Sequence, residues 1–266
     1  VPSKNTQLLD GEPLFLRTIK KIAAVPAIDE VYLDTESKKI IEMASEVDCS
    51  VIRRDPELAT NETGGNELLL NEAHKHQGDI YVQILGTSPF ISRKTIRDGI
   101  DKVKTTDHDS AVLVESSPEY LWEDGCPVYD IDLIPNSNDL DEITRETMGL
   151  YVIEHGALFE TQRRIGENPY LLQASSTEAI DIDYEDDFEL AEYVARGMRE
   201  TNQRSRRTLR HELSSAIICD VLDEFGFDGF IDSFESNIDT PIFGRSKTLS
   251  LRKLQPGEDP DGIYRA

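Results

Sequence analysis

Two aspartates stand two positions apart in "AIDIDYEDDFELAEYV": Asp181 and Asp183. Residues two apart on a strand project to the same face. The pattern predicts a strand over 179–183 that presents both carboxylates side by side. Two such groups repel unless a cation lies between them. Hard oxygen donors at a strand end, with open positions, suit Mg2+ carrying a nucleotide phosphate. The competing reading is a pair of surface acids in an acidic protein. Glu185, Asp186 and Asp187 read instead as the opening of the next helix, where acids complement the N-terminal dipole.

Other candidates are scattered. "VPSKN" supplies an ammonium, Lys4, suited to a phosphate, and an amide, Asn5, suited to a base edge or a ribose. Arg54 in "RRDPELATNET" follows a strand pattern and could clamp a phosphate or carboxylate with two parallel hydrogen bonds; a surface ion pair is the alternative. "LGTSPFIS" places the hydroxyls of Thr87 and Ser88 in a tight turn after a strand. Ser88 or Ser92 could equally be a helix cap. The five histidines (74, 76, 108, 155 and 211) show no metal-ligand spacing and receive no role.

The elements that must position these groups alternate. "EVYLDT" (30–35), "CSVIRR" (49–54), "DIYVQIL" (79–85) and "SAVLVES" (110–116) read as strands, followed by "GLYVIE" (149–154). Apolar residues spaced by three or four predict helices over 13–24, 36–46 and 66–75, and a later one over 186–198. Repeated strand–helix–strand units predict an α/β fold with a mainly parallel, doubly wound sheet. Ligands of such sheets sit beyond the carboxyl ends of the strands. Residues 117–148, rich in Pro, Asn and acids, break the rhythm and read as a lid or an arm for a partner.

Charge narrows the function. The 52 acidic against 28 basic residues give a net charge of −24, a field that repels nucleic acid and anionic membranes. No apolar run approaches the roughly 18 residues of a membrane span. Three scattered cysteines (Cys49, Cys126, Cys219) build no disulfide framework, which points to a reducing cytoplasm. One stretch reverses the field: "RGMRETNQRSRRTLR" holds six Arg and one Glu, and 198–208 reads as a linker.

In their order, these pieces resemble the cytidylyltransferases that make CMP-activated acidic sugars, over residues 1–197. "VPSKN" resembles the end of that family's nucleotide loop, "LLDGEPLFLRTIKKI" its following helix, and "VYLDTES" its second-strand motif. "RDPELATNET" resembles its Arg-Pro-x-Glu-Leu-Ala segment, "GTSPF" its Pro-Thr-Ser-Pro-Leu turn, "MGLYVI" its Asn-Gly-Ala-Ile-Tyr strand, and "IDIDYEDDFELAE" its late Asp-x-Asp signature. The resemblance implies a nucleotide-diphospho-sugar-transferase-like fold with an inserted arm over 117–148, and transfer of CMP from CTP to an acidic 2-oxo-acid sugar. It implies Mg2+ on Asp181 and Asp183, and CTP contacts from Lys4, Asn5, Arg54, Thr87 and Ser88, with Lys4 and Arg54 acting on phosphate charge. It further implies a homodimer or higher homo-oligomer. It places the first strand and most of the loop upstream of Val1. Leu85, Ile91 and Met148 depart from the family's Gln, Arg and Asn, which leaves the acceptor open: a sialic, pseudaminic, legionaminic or Kdo-type sugar, or another acid such as a phosphonate.

From about 209, "LSSAIICDVLDEFGF" and "PIFGRSKTLSLRKLQPGEDPDG" resemble the opening of an RraA-like domain, a family that includes metal-dependent aldolases of 4-hydroxy-2-oxo acids. The expectation is a partial second αβ domain over 209–266, cut before its catalytic segment. A nucleotide-binding domain that only carries this unit, without catalysis, is the rival from a different class.

Overall fold

The computed structural model describes residues 4–60 and 62–201. Most of the expected linker and all of the expected RraA-like segment lie outside the described residues. The architecture is that of the unit ending at Gly197.

A 3-10 turn (Lys4–Thr6) leads into a hairpin of β1 (Leu8–Leu9) and β2 (Glu12–Pro13). Asp10 (φ 52°) and Gly11 (φ 81°) take left-handed backbone at its tip, as a two-residue hairpin turn requires. Next come α1 (Leu14–Ala23), β3 (Tyr32–Thr35), α2 (Lys38–Met43), β4 (Ser50–Arg53) and α3 (Gly65–Lys75). The chain continues through β5 (Ile80–Ile84), α4 (Arg93–Thr105) and β6 (Ser110–Pro118). A second small hairpin, β7 (Trp122–Glu123) and β8 (Cys126–Pro127), precedes β9 (Glu142–Glu154), α5 (His155–Thr161) and β10 (Pro169–Gln173). A further helix, α6, occupies 185–201.

The main sheet has the order β10-β6-β9-β5. β10 runs parallel to β6, while β9 is antiparallel to both β6 and β5. The 149–154 run is thus a strand, but one that reverses direction inside a mixed sheet. β3 and β4 form a separate parallel pair joined through α2. Between β3 and β5 lies a cavity of about 1120 Å³ lined by both strands, α1 and α3. The strands read from the sequence as one run are therefore two hydrogen-bonded pieces.

Helices cover both faces of the main sheet. Ile96, Ile100 and Val103 of α4 pack on Leu113, Leu150, Val152 and Leu172. Leu69 and Ala73 of α3 and Leu158 of α5 pack with Ile153 on the other side. α4 starts where Ser92 accepts a hydrogen bond from the Thr95 N–H at 3.1 Å, so Ser92 rather than Ser88 is the cap.

Two expectations need correction. Residues 117–148 are not irregular throughout: β6 and β9 continue outward as a paired ribbon from Val114↔Glu146 to Pro118↔Glu142. Tyr120, Trp122, Val128, Ile131, Leu133 and Ile134 are exposed on the excursion beyond it. Residues 179–183 are not a strand either. The segment is anchored to the turn between β5 and α4 by one backbone bond, from Ile182 N–H to the Thr87 carbonyl at 3.0 Å, and has no strand ladder to join.

Candidate active site

The alternation read at 180–183 survives without the strand. Ile182 is fully buried among Leu9, Leu14, Phe90, Ala191 and Ala195, and Ile180 packs against the same cluster. Removing an Ile side chain from water contributes about 1.5–3 kcal/mol. With the isoleucines held inward, Asp181 and Asp183 line a pocket of about 360 Å³ on the other side. Its remaining wall is Lys4 and Asn5 from the first turn, Leu85, Gly86 and Thr87 past the end of β5, and Met148 of β9. The pocket thus lies beyond the carboxyl end of β5, where open α/β sheets bind ligands.

Lys4 Nζ donates to Asp183 Oδ1 and to the Ile182 carbonyl, both at 2.9 Å. Ser88 Oγ donates to Asp181 Oδ1 at 3.3 Å. Thr87 supplies the carbonyl that holds Ile182. Asn5 lies across Gly86, where an added Cβ would stand 3.2 Å from Asn5 Oδ1.

The ends of the acidic segment are fixed by carboxylates the sequence did not single out for that purpose. Glu178 accepts hydrogen bonds from the Ser92 N–H at 2.9 Å, from the Thr95 hydroxyl, and from Ser175. Burial acts to raise its pKa; the bonds from Thr95, Ser92 and Ser175 outweigh it and leave the group lowered. Beyond Asp183, Asp187 accepts from the Tyr184 N–H at 2.8 Å and the Asp183 N–H at 3.0 Å, a reach-back that caps α6. Those bonds hold its carboxyl below the ordinary value.

β9 approaches the pocket at a break in register. Met148 has φ 63°, a left-handed conformation that a long side chain seldom adopts. Gly149 follows, and a Cβ there would stand 2.6 Å from Ser88 Oγ and 2.8 Å from Ile91. Only glycine lets β9 lie this close to the turn that carries Thr87 and Ser88.

Arg54 is placed at the larger, adjoining cavity. At the end of β4, its Nε donates to Asp34 Oδ2 at 3.0 Å and its Nη2 to the Asp34 carbonyl at 3.3 Å. The parallel pairing that sets β4 beside β3 delivers the guanidinium to Asp34. Arg54 therefore lines the larger cavity, which shares Asn5, Leu85 and Gly86 with the smaller pocket but not Lys4, Thr87, Asp181 or Asp183. Glu72 lines that cavity too. Burial first, then the charge of Asp34 and a hydrogen bond with it, push its pKa up to about 8, against the opposing pull of Arg54 and Lys75.

The donor set fits Mg2+, which takes one or two protein carboxylates and fills its shell with water and phosphate oxygens. Among the described residues no group of three or more His, Cys, Asp or Glu is arranged to hold a metal alone. A cation at Asp181 and Asp183 would therefore have to complete its shell from a ligand or solvent.

A mixed α/β sheet with two carboxylates and a lysine at one strand end is an arrangement suited to nucleotidyl transfer. The Cytidylyltransferase family model matches residues 1–205, and the chain belongs to that family. It is 29% identical over 211 residues to CMP-N,N'-diacetyllegionaminic acid synthase of Legionella pneumophila, covering 72% of this chain and 89% of the relative. An N-acylneuraminate cytidylyltransferase of Streptococcus agalactiae is 23% identical, over 71% of this chain and 48% of the relative. The chain thus spans about half of that relative's length. Among solved structures, CMP:2-keto-3-deoxy-manno-octonic acid synthetase complexed with CTP superposes with a TM-score of 0.54 at 15% identity, covering 76% of this chain and 93% of that one. 4-Diphosphocytidyl-2C-methyl-D-erythritol synthase of Anaerococcus prevotii matches with the same score at 14% identity, over 71% and 88%. At these identities the two structures speak for the fold.

Proposed function

We propose that this cytidylyltransferase transfers CMP from CTP to an acidic 2-oxo-acid sugar, releasing pyrophosphate. The observation that carries the reading is the convergence of Asp181, Asp183 and Lys4 on one pocket in a chain of this family. The relatives named above, which act on legionaminic and neuraminic acids, support the acceptor class.

The acceptor's hydroxyl attacks the α-phosphorus in line, forming the new O–P bond as the bond to pyrophosphate breaks. Lys4 sits where its ammonium can meet phosphate charge. Asn5, pinned against Gly86, offers an amide to cytosine or ribose. Thr87 and Ser88 hold the acidic segment in place. Mg2+ held by Asp181 and Asp183 would offset charge on the α-phosphate when bound. The rest is positioning and electrostatics, as in phosphoryl transfer generally. Arg54, engaged by Asp34, contributes by fixing the ends of β3 and β4.

The test is calorimetry with CTP, ATP, GTP and UTP, followed by pyrophosphate release with N-acetylneuraminate, diacetyllegionaminate and 3-deoxy-manno-octulosonate. CTP preference with release on one of these acids is expected. Equal affinity for all four nucleotides would sink the assignment.

The exposed apolar side chains beyond the β6–β9 ribbon suit a second copy of the chain. Light scattering should give a homo-oligomer that dissociates when the arm is shortened. A monomer at micromolar concentration, unchanged by that deletion, would refute the pairing. The cysteine usage fits a cytoplasmic enzyme, and no described helix is long and apolar enough to cross a membrane.

A further inference from the structure

Arg164, in the loop between α5 and β10, is held firmly and bonded poorly. Its guanidinium stacks on the Tyr151 ring, 3.8 Å from the centroid. Its backbone N–H donates to Asn66 Oδ1 at 3.0 Å. The side chain is only 13% exposed. Its contacts with Gln83, Glu146 and Met148 are long. Gln83 Oε1 lies 3.5 Å from Nη1, and Glu146 Oε1 lies 3.9 Å from Nη2. The same Nη2 is directed at Met148 Sδ, 3.7 Å away, and a thioether is a weak acceptor. Ordinary charge-assisted N–H···O bonds are about 2.7–2.9 Å. Glu146 Oε1 also accepts from the Tyr151 hydroxyl.

Room for the group is built in. A Cβ on Gly65 would stand 2.3 Å from Nη1. The glycine at the start of α3 leaves the space that the guanidinium occupies.

The position is informative. Met148 lines the same pocket as Asp181 and Asp183, and Nη2 lies 3.7 Å from its sulfur. A pocket with two carboxylates, in a chain of net charge −24, needs a cation to admit an anionic substrate. Lys4 is already paired with Asp183. We propose that Arg164 receives the acidic group of the acceptor at the Met148 side of the pocket, the acid's oxygens replacing the long N–H···S contact with short charge-assisted bonds. This deepens the acceptor reading above and rests on it. A planar guanidinium stacked in place is the group suited to a carboxylate, and a lysine would not reproduce the two parallel bonds.

Steady-state kinetics on the full chain test this, with N-acetylneuraminate, diacetyllegionaminate or 3-deoxy-manno-octulosonate, whichever the wild type uses, and the methyl ester of that acid. Arg164→Met should raise KM for the acid at least tenfold and leave KM for CTP within twofold. It should also erase the preference for the acid over its ester. Arg164→Lys should recover part of the loss. Gly65→Ala keeps the charge but crowds Nη1, and should raise the acid's KM in the same direction. Melting temperatures and CTP calorimetry identify any variant that fails to fold; with Arg164→Met unfolded, Gly65→Ala and Arg164→Lys decide. An acid-over-ester preference that persists in folded variants, or CTP and acid constants that move together, would overturn the role of Arg164 while leaving the acceptor class standing. A wild type that binds CTP yet uses none of the three acids would overturn the acceptor reading and Arg164's role with it.

Discussion

Lys4 Nζ lies 2.9 Å from Asp183 Oδ1, across 179 positions of sequence. The contact joins the first described turn to the acidic segment before α6. It is also partly exposed, with 29% of the Lys4 side chain and 61% of the Asp183 side chain accessible. Pairs of this kind contribute about 0–1 kcal/mol to stability, so the pairing has little weight in holding the fold.

Lys4→Met should therefore leave the melting temperature nearly unchanged. Turnover of CTP should fall by about 100-fold or more, the scale of losing one preorganised charge at a transferring phosphate. Thermal unfolding and pyrophosphate release on one preparation check both halves. A large drop in melting temperature with turnover retained would make Lys4 a structural residue.

Met148 offers a different test. Left-handed backbone costs an L-residue about 1–2 kcal/mol, and Asn tolerates it better than Met does. Met148→Asn should raise the free energy of unfolding by on the order of 1 kcal/mol. Met148→Leu keeps the bulk without the tolerance and should give no gain. Urea unfolding of both variants separates backbone strain from lost sulfur contacts, since the latter would destabilise both.

Much of this was readable in advance where the physics is local. The apolar spacing of Leu14, Phe15 and Ile19 located α1, and the acids at 185–187 located the start of α6. The alternation of Ile180 and Ile182 with Asp181 and Asp183 gave the correct faces although no strand forms there. A face depends on burial, whereas a strand depends on a partner the sequence does not name. Of α4 only the cap, Ser88 or Ser92, is legible: Ile96, Ile100 and Val103 repeat at helical spacing, but charges and Gly99 dilute the pattern. β10 is five residues opening on Pro169 and carries little signal by itself. Arg54 was expected at a phosphate because a strand end is a ligand position. Its capture by Asp34 depends on the β3–β4 register, which only the assembled fold reveals. Glu178 was unreadable for the same reason: its bonds to Ser92 and Thr95 span more than 80 positions.

Glu72 sets a pH dependence. Its pKa rises from 4.5 to about 8 in the folded protein, chiefly through burial and then through Asp34. Between those values the native state holds a proton that the unfolded chain has released. Stability should therefore fall as pH rises across that window and level off above it. Glu72→Gln mimics the protonated acid and should flatten the slope, leaving the variant more stable than the wild type at pH 8.5. Urea midpoints at pH 5.5, 7 and 8.5 measure this. A wild-type midpoint that climbs steadily with pH, with no change of slope in Glu72→Gln, would show the shift to be absent.

Asp181 and Asp183 give the sharpest contrast, because their surroundings differ. Asp181 Oδ1 receives a long bond from Ser88, while Asp183 Oδ1 holds Lys4 at short range. If the pair exists to hold Mg2+, the protein without metal carries like-charge repulsion between them. Asp181→Asn removes that repulsion and retains an oxygen for Ser88, so its melting temperature without Mg2+ should hold or rise. Asp183→Asn removes the same repulsion but also the ion pair with Lys4; the two effects oppose, and the net change should stay within about 1 kcal/mol. Both variants should lose Mg2+-dependent turnover, and both should lose the extra stability that Mg2+ and CTP together confer on the wild type. A purely structural pair predicts the opposite signature. There, replacing a hydrogen-bonded carboxylate oxygen would cost about 1–3 kcal/mol without any ligand, and the gain from Mg2+ and CTP would be unchanged. Melting curves of the two variants, with and without Mg2+ and CTP, distinguish the cases. A fall in the ligand-free melting temperature of Asp181→Asn, with turnover retained, would return the pair to ordinary surface acids.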